Sequence, residues 1–308
     1  MAQGGGQTHW RLLAGMVGLV FVFFVAAMGH DPAGDDETGG DDQISLPTPT
    51  PPPSPTEAQP TPRFATPLPT PHPPPQRWRP ALQTSWQLQF NGRLDLSVDA
   101  EVYDVELFET TAQTVETLHA RGRRAICYLS VGSWEDWRPD AARFPDIVKG
   151  RSNGWPGERW VDVHRLDILM PLIEARLDQC QQKGFDGADP DNVDGYLSDS
   201  GFPLTYEDQL RFNIAVANAA RARGLAVGLK NDLTQIRDLL PYFDWSLNEQ
   251  CFEYRECELL LPFIEASKPV FNVEYRLNPG EFCARANAMN FNSLHKRLEL
   301  DAYRQACR

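Results

Sequence analysis

From Ala81 to the C-terminus the sequence repeats one pattern, a short apolar run followed by an amphipathic stretch. The apolar runs predict strands at Trp86–Phe90, Val102–Phe108, Ala125–Val131, Phe185–Asp191, Leu225–Asn231, Trp245–Gln250, Val270–Tyr275 and Phe291–Lys296. Helical patterns lie between most of them: Ala112–Arg121, Asp167–Lys183, Tyr206–Arg223, Leu233–Leu240, Glu258–Ser267 and Glu281–Met289. Three of these are followed at once by glycine (Gly122, Gly184, Gly224), the residue that most readily turns the chain out of a helix. Strands alternating with helices run parallel, because a parallel pair needs a crossover between its members. Eight such strands predict closure into an α/β fold of the (β/α)8 TIM-barrel type. The competing open, doubly wound sheet usually carries a Gly-rich phosphate turn after its first strand, and none occurs here. A further short run, Trp160–Val163, is read as loop.

The barrel accounts for residues 81–308 only. More than half of the 26 prolines crowd between Pro47 and Pro80. Proline fixes φ and lacks an N–H, so this Pro/Thr-rich tract can build neither helix nor sheet and predicts an extended spacer. With the acidic, Gly-rich stretch before it, the spacer makes residues 31–80 a disordered linker. Ahead of it, Leu12–Met28 is an unbroken run of apolar and small residues after Arg11. Its length falls between a signal-peptide core and a relaxed membrane span, so residues 1–30 read equally as a signal peptide or a single membrane anchor. Either reading puts the barrel outside the cell, secreted or held on the outer face of the membrane.

Six cysteines (Cys127, Cys180, Cys251, Cys257, Cys283, Cys307) include no CxxC pair, and the six histidines form no metal-like cluster. An even count behind an export segment predicts disulfides rather than a metal site. Closeness in the chain suggests Cys251–Cys257 and Cys283–Cys307, which leaves Cys127 for Cys180. The net charge of −13 disfavours nucleic acid and anionic lipid and favours cationic or neutral partners. A monomer without metal or cofactor is expected.

In a barrel of this kind the chemistry sits at the carboxyl ends of the strands. Those ends carry Glu106, Tyr128 and Ser130, Asp189 and Asp191, Lys230 and Asn231, Glu249, and Glu274 with Tyr275. Asp189 and Asp191, two apart, share one strand face. An isolated D-x-D is more often a turn or a calcium loop, but Pro190 between them points to an irregular, site-forming strand end. Glu249 ends an otherwise apolar strand, and a disulfide at Cys251 would brace the loop behind it. Cleaving a glycosidic bond takes two carboxyl groups flanking that bond, and the strands bearing Asp191 and Glu249 can supply them.

The segments Gly184–Tyr196 (GFDGADPDNVDGY), Val227–Asn231 (VGLKN), Asn248–Cys251 (NEQC) and Val273–Tyr275 (VEY) resemble glycoside hydrolase family 114. Val102–Phe108, Cys127–Trp137 and Trp155–Trp160 extend the resemblance, which covers the chain from about Trp86 onward. It implies an endo-α-1,4-polygalactosaminidase-like enzyme that acts on galactosamine-containing polymers without a metal. It also implies a catalytic Asp at the end of the fourth strand and a catalytic Glu in the N-E-Q-C motif, here Asp191 and Glu249. In this reading Glu249 is the general acid, and Asp191 attacks the anomeric carbon or activates water. Glu106, Asp189 and Glu274 bind substrate ammonium groups, Lys230 pairs with Asp191, Asn231 adds a polar contact, and Tyr128 and Trp134 offer stacking surfaces. The D-G-x-D-x-D pattern is also similar to the chitinase-like family 18, but Val193 stands where that family needs its acid. Two alternatives remain, a non-catalytic carbohydrate-binding or structural barrel and a hydrolase of another glycan.

Overall fold

A computed structural model describes residues 69–71 and 77–308. The segment 1–30 and most of the linker 31–80 lie outside the described residues. Among the described residues no helix is long and apolar enough to cross a membrane.

The elements follow in the order β1 (Trp86–Gln89), β2 (Val102–Glu106), α1 (Ala112–Ala120), β3 (Arg124–Ser130), β4 (Ser133–Glu135), β5 (Lys149–Ser152), β6 (Glu158–Val161), α2 (Leu166–Gln182), β7 (Gly187–Asp191), α3 (Tyr206–Ala222), β8 (Ala226–Lys230), α4 (Ile236–Leu239), β9 (Trp245–Glu249), α5 (Cys251–Tyr254), α6 (Leu261–Glu265), β10 (Val270–Glu274), α7 (Pro279–Ala288), β11 (Asn292–His295) and β12 (Gln305–Ala306). One sheet runs β1-β2-β3-β7-β8-β9-β10-β11-β12, with every pairing parallel except the short β11–β12 edge. The sheet is curled, and side chains link β1 to the segment around β11. Trp86 Nε1 on β1 donates to the Asn292 carbonyl on β11 at 2.8 Å, and Arg304 Nε donates to the Trp86 carbonyl at 2.8 Å. The β1–β2 connection carries no helix.

All eight predicted parallel strands and all six helical patterns appear within a few residues of their expected bounds. Thr205 and Asp208 close a reciprocal capping box at the start of α3, and Asn278 with Glu281 does the same for α7. Gly184 and Gly224 follow α2 and α3 at φ +86° and +76°, the left-handed conformation that ends a helix. The run Trp160–Val163 departs from expectation. Its first two residues, Trp160 and Val161, end strand β6, within a separate antiparallel sheet ordered β4-β6-β5 that rises from the β3–α2 connection. The buried Arg176 of α2 clamps this excursion to the mouth of the main sheet, donating to the Ser130 carbonyl (2.6 Å) and by two bonds to Asp140 (2.8 Å each).

Two apolar layers hold the fold together. One lies between the sheet and its helices, and the other fills the inside of the curl with Trp86, Leu88, Val102, Ile126, Trp245, Leu247, Phe271, Val273 and Leu294. Trp86 stacks on Phe271 with centroids 4.9 Å apart. Trp245 lies flat over β8, which is possible only because residue 228 has no side chain. A Cβ at Gly228 would stand 2.1 Å from Trp245 Nε1. Gly228→Ala is therefore expected to lower stability by about 1–3 kcal/mol through overpacking, read as a drop in the urea midpoint at unchanged slope. A midpoint equal to the parent's would mean that Trp245 yields.

The three disulfides are Cys127–Cys180, Cys251–Cys257 and Cys283–Cys307, the pairing expected from the chain, and no cysteine is free. Residues just ahead of Ala81 already belong to this unit. Arg77 donates twice to the buried Asp244 (2.6 and 3.1 Å), and Trp78 packs on Trp245.

Candidate active site

Side chains alternate along a strand, so the apolar residues that fill the interior also mark which polar residues above them point inward. On β7, Gly187 is followed inward by Asp189 and Asp191. On β8, Gly228 is followed by Lys230, and on β9 Trp245 and Leu247 are followed by Glu249. The polar residues therefore form a layer directly above the aromatic floor, at the carboxyl ends of the strands.

Lys230 organises that layer. Its buried ammonium stands 3.1 Å from Asp191 Oδ1 and 3.3 Å from Glu249 Oε2. The charges of Asp191, Glu249 and Asp189 outweigh the cost of burial and hold it well above the ordinary lysine range. Each carboxylate then accepts from a tyrosine, Asp191 from Tyr128 Oη at 2.9 Å and Glu249 from Tyr275 Oη. Asp191 also accepts from the Asn192 backbone N–H (2.7 Å), and Glu249 from Asn231 Nδ2 (3.3 Å). Asn231 Oδ1 accepts the Glu249 N–H at 2.9 Å, locking the end of β9 to the end of β8. Burial, followed by the neighbouring carboxylates, pushes both tyrosine hydroxyls well above their usual range, so they stay protonated donors. The Asp191 and Glu249 side chains keep 17% and 26% exposure, so a solute can reach them.

The strands stop abruptly at this layer. Asn192, Asn231, Asp232 and Gln250 all have φ between 44° and 64°, immediately after Asp191, Lys230 and Glu249. Left-handed backbone at non-glycine residues is costly and persists where the surroundings fix it, often at functional sites. The close approach of the β3–β4 link adds to the constraint, since a Cβ at Gly132 would lie 1.6 Å from the Asn192 carbonyl oxygen.

Asp191, Glu249, Lys230, Asn231 and Tyr128 are thus brought together. The other predicted residues are placed elsewhere. Asp189 is wholly buried beneath the cleft, so it cannot touch a bound chain. Glu106 is at the mouth, where Arg138 Nη1 (2.6 Å) and the Glu109 N–H (2.7 Å) each bond one of its oxygens and Arg138 balances its charge. Glu274 points to the opposite face of β10, where it accepts the Phe252 N–H at 2.9 Å and Asn272 Nδ2 at 3.3 Å. The expected ammonium-binding role of Glu274 is therefore corrected to bracing the turn after Glu249. Trp134 lies in the small sheet with Lys149 Nζ 4.5 Å from its ring centroid, and the Tyr128 ring packs on Phe90. Neither ring is a bare stacking surface.

Tyr275 had no role in the sequence reading, yet the signal was present. Phe271 and Val273 face inward, so parity makes Tyr275 the inward residue and Glu274 the outward one. Asp194 was also missed. It is half-buried just past Asp191, and burial, then the Asp191 charge, pushes its carboxyl up to about 6.

The model of glycoside-hydrolase family GH114 matches residues 68–308. The crystal structure of Aspergillus fumigatus Ega3 in complex with galactosamine superposes with a TM-score of 0.72 at 38% identity, covering 78% of this chain and 99% of that one. The glycoside hydrolase domain of PelA from Pseudomonas aeruginosa shares the fold at a TM-score of 0.58 and 16% identity, covering 72% of this chain and 98% of that domain. An uncharacterized protein from Deinococcus radiodurans is 30% identical over 182 residues, a match spanning 52% of this chain and 58% of that protein.

Proposed function

The chain belongs to glycoside-hydrolase family GH114, and from that premise we propose that it cleaves α-1,4-linked galactosamine-containing polysaccharide with Asp191 and Glu249 as its two catalytic carboxylates. The observation that carries this reading is the single ammonium of Lys230 held between two partly exposed carboxylates at the carboxyl ends of β7 and β9. The galactosamine bound to Ega3, the 38% identical relative, supports an amino-sugar polymer as substrate. The fold that goes with it is a closed (β/α)8 barrel, sealed between β1 and β11 by Trp86 and the segment around Arg304 rather than by a strand ladder.

Two oxygens that share one ammonium at 3.1 and 3.3 Å lie at most about 6.4 Å apart, short of the inverting range, which supports the shorter, retaining spacing. In the proposed sequence Glu249 enters protonated once substrate is bound, and the Asp191 carboxylate attacks the anomeric carbon as Glu249 gives that proton to the departing glycosidic oxygen. The glycosidic bond breaks and a glycosyl ester forms. Glu249 then takes a proton from water, which attacks the same carbon and releases Asp191. Three donors hold the Asp191 carboxylate ready for attack: Tyr128, the Asn192 N–H and Lys230. The greater exposure of Glu249 suits the acid and base role, which has to meet leaving group and water. The three disulfides support an extracellular setting.

The test is incubation of the protein with a partly deacetylated α-1,4-galactosamine polymer, with products analysed by mass spectrometry. Release of galactosamine-containing oligosaccharides, absent with Glu249→Gln, is expected. No release above that variant would refute the substrate assignment.

A further inference from the structure

Below the catalytic layer sit two carboxyl groups that the proposed reaction does not use. Asp104 of β2 and Asp189 of β7 enter the interior on either side of β3, and both are completely buried. Among the described residues no N–H or hydroxyl reaches any of their four oxygens. Each carboxyl instead acts directly on the other. Two carboxylates facing one another without a donor, away from water, cannot both remain ionised, because burial and mutual repulsion act in the same direction.

We infer that Asp104 and Asp189 share one proton, Asp104 donating it to the Asp189 carboxylate, and that the single charge left on the pair positions the Lys230 ammonium between Asp191 and Glu249. The charged groups facing the pair are consistent with that. Lys230 and Asp191 act on both members, and Glu249 acts on Asp189. Burial first, then the Asp189 charge, holds Asp104 well above the usual carboxylate range, which makes it the member that carries the shared proton. Burial likewise raises Asp189 to about 7 against the pull of Lys230, with Asp191 and Glu249 adding to the rise. Raised values mean that protons are gained as pH falls, so the pair passes from one negative charge to none as the pH drops through about 7. Below that point Lys230 loses one of its three anionic neighbours. Asp104 and Asp189 are thus positioning residues, and Asp189 does not bind substrate.

Proton sharing can be read without substrate, so its failure is distinguishable from failure of the hydrolase assignment. The full chain, labelled with carbon-13 at the aspartate carboxyl, is titrated by NMR, and Asp104→Asn and Asp189→Asn assign the two resonances. One resonance of the pair is expected to keep the shift of a protonated carboxyl above pH 7 while its partner titrates near 7. If both ionise together near the ordinary aspartate value of about 4, the inference is overturned. The kinetic arm rests on the proposed hydrolase function. Each single Asn variant retains an amide donor and one charge, and is expected to lower kcat about threefold. The double variant retains no charge and is expected to lower kcat thirtyfold or more at unchanged KM, because the pair never meets the substrate. A double variant no worse than the singles, or a loss confined to KM, would overturn the positioning role.

Discussion

Glu249→Gln is expected to lower kcat on a galactosamine polymer by roughly two to four orders of magnitude, the range for loss of a positioned acid or base. The substitution is nearly isosteric, and the one amide oxygen of Gln can keep the contact with Tyr275 or with Asn231, so the protein should melt close to the parent. What disappears is the proton for the departing oxygen. Activated substrates with a good leaving group should therefore be cleaved far better by this variant than the natural polymer is. Asp191→Asn should lose a comparable amount for a different reason, because an amide cannot attack the anomeric carbon. Azide should rescue the Asp191 variant and give a product of inverted anomeric configuration, since the small anion takes the place of the missing nucleophile. Full activity of Glu249→Gln on a verified substrate would end the two-carboxylate mechanism. Rescue of Glu249→Gln with inversion, and none for Asp191→Asn, would exchange the two roles.

Most of the strand and helix order was legible because each layer of an α/β fold leaves its own period in the sequence. The strands are buried on both faces and read as apolar runs, and α2 and α3 alternate with them as amphipathic stretches stopped by Gly184 and Gly224. Glu249, Asp191 and Lys230 were legible as polar residues terminating such runs. What sequence order did not reveal was the direction of each strand-end side chain. Glu274 and Tyr275 are neighbours, and one residue of parity sends the acid to the outer face and the phenol into the site. Glu106 failed as a ligand-binding acid for a long-range reason. Its partner Arg138 comes from the excursion holding β4, β5 and β6, 32 residues away, and no local pattern joins the two. Asp104 carries no local signal of its own in the run Val102–Phe108. Its meaning depends on Asp189, which meets it only once β3 has been laid between their two strands.

Lys230→Met tests the element that ties the site together. Methionine matches the length of the lysine chain and keeps its apolar contacts, so the change removes little more than the charge. The parent ammonium neutralises Asp191 and Glu249 at 3.1 and 3.3 Å and lies 5.8 Å from the Tyr128 ring centroid. Removing one partner of a buried ionic cluster costs about 3–5 kcal/mol when the remaining charges are fully enclosed. The cost here should fall below that, because Asp191 and Glu249 keep 17% and 26% exposure and their other hydrogen bonds. The sign with pH follows from the raised lysine. Its contribution is complete throughout the neutral range and is lost only as pH climbs through its folded value, so the variant should be destabilised at neutral pH. Acidification should narrow the gap, since protons on the carboxyl groups replace the missing cation. Catalysis should fall by roughly two orders of magnitude, the scale of removing one preorganised electrostatic contact. The acid limb of kcat/KM should move to higher pH, because without the ammonium a carboxylate needs less acid to take up its proton. Lys230→Arg keeps the charge and should leave that limb in place even if bulk costs activity. The discriminating measurement is kcat/KM against pH for all three proteins. A Met variant whose profile superimposes on the parent's would show that the two carboxylates are set by their tyrosines and backbone donors, and that the ammonium between them is structural.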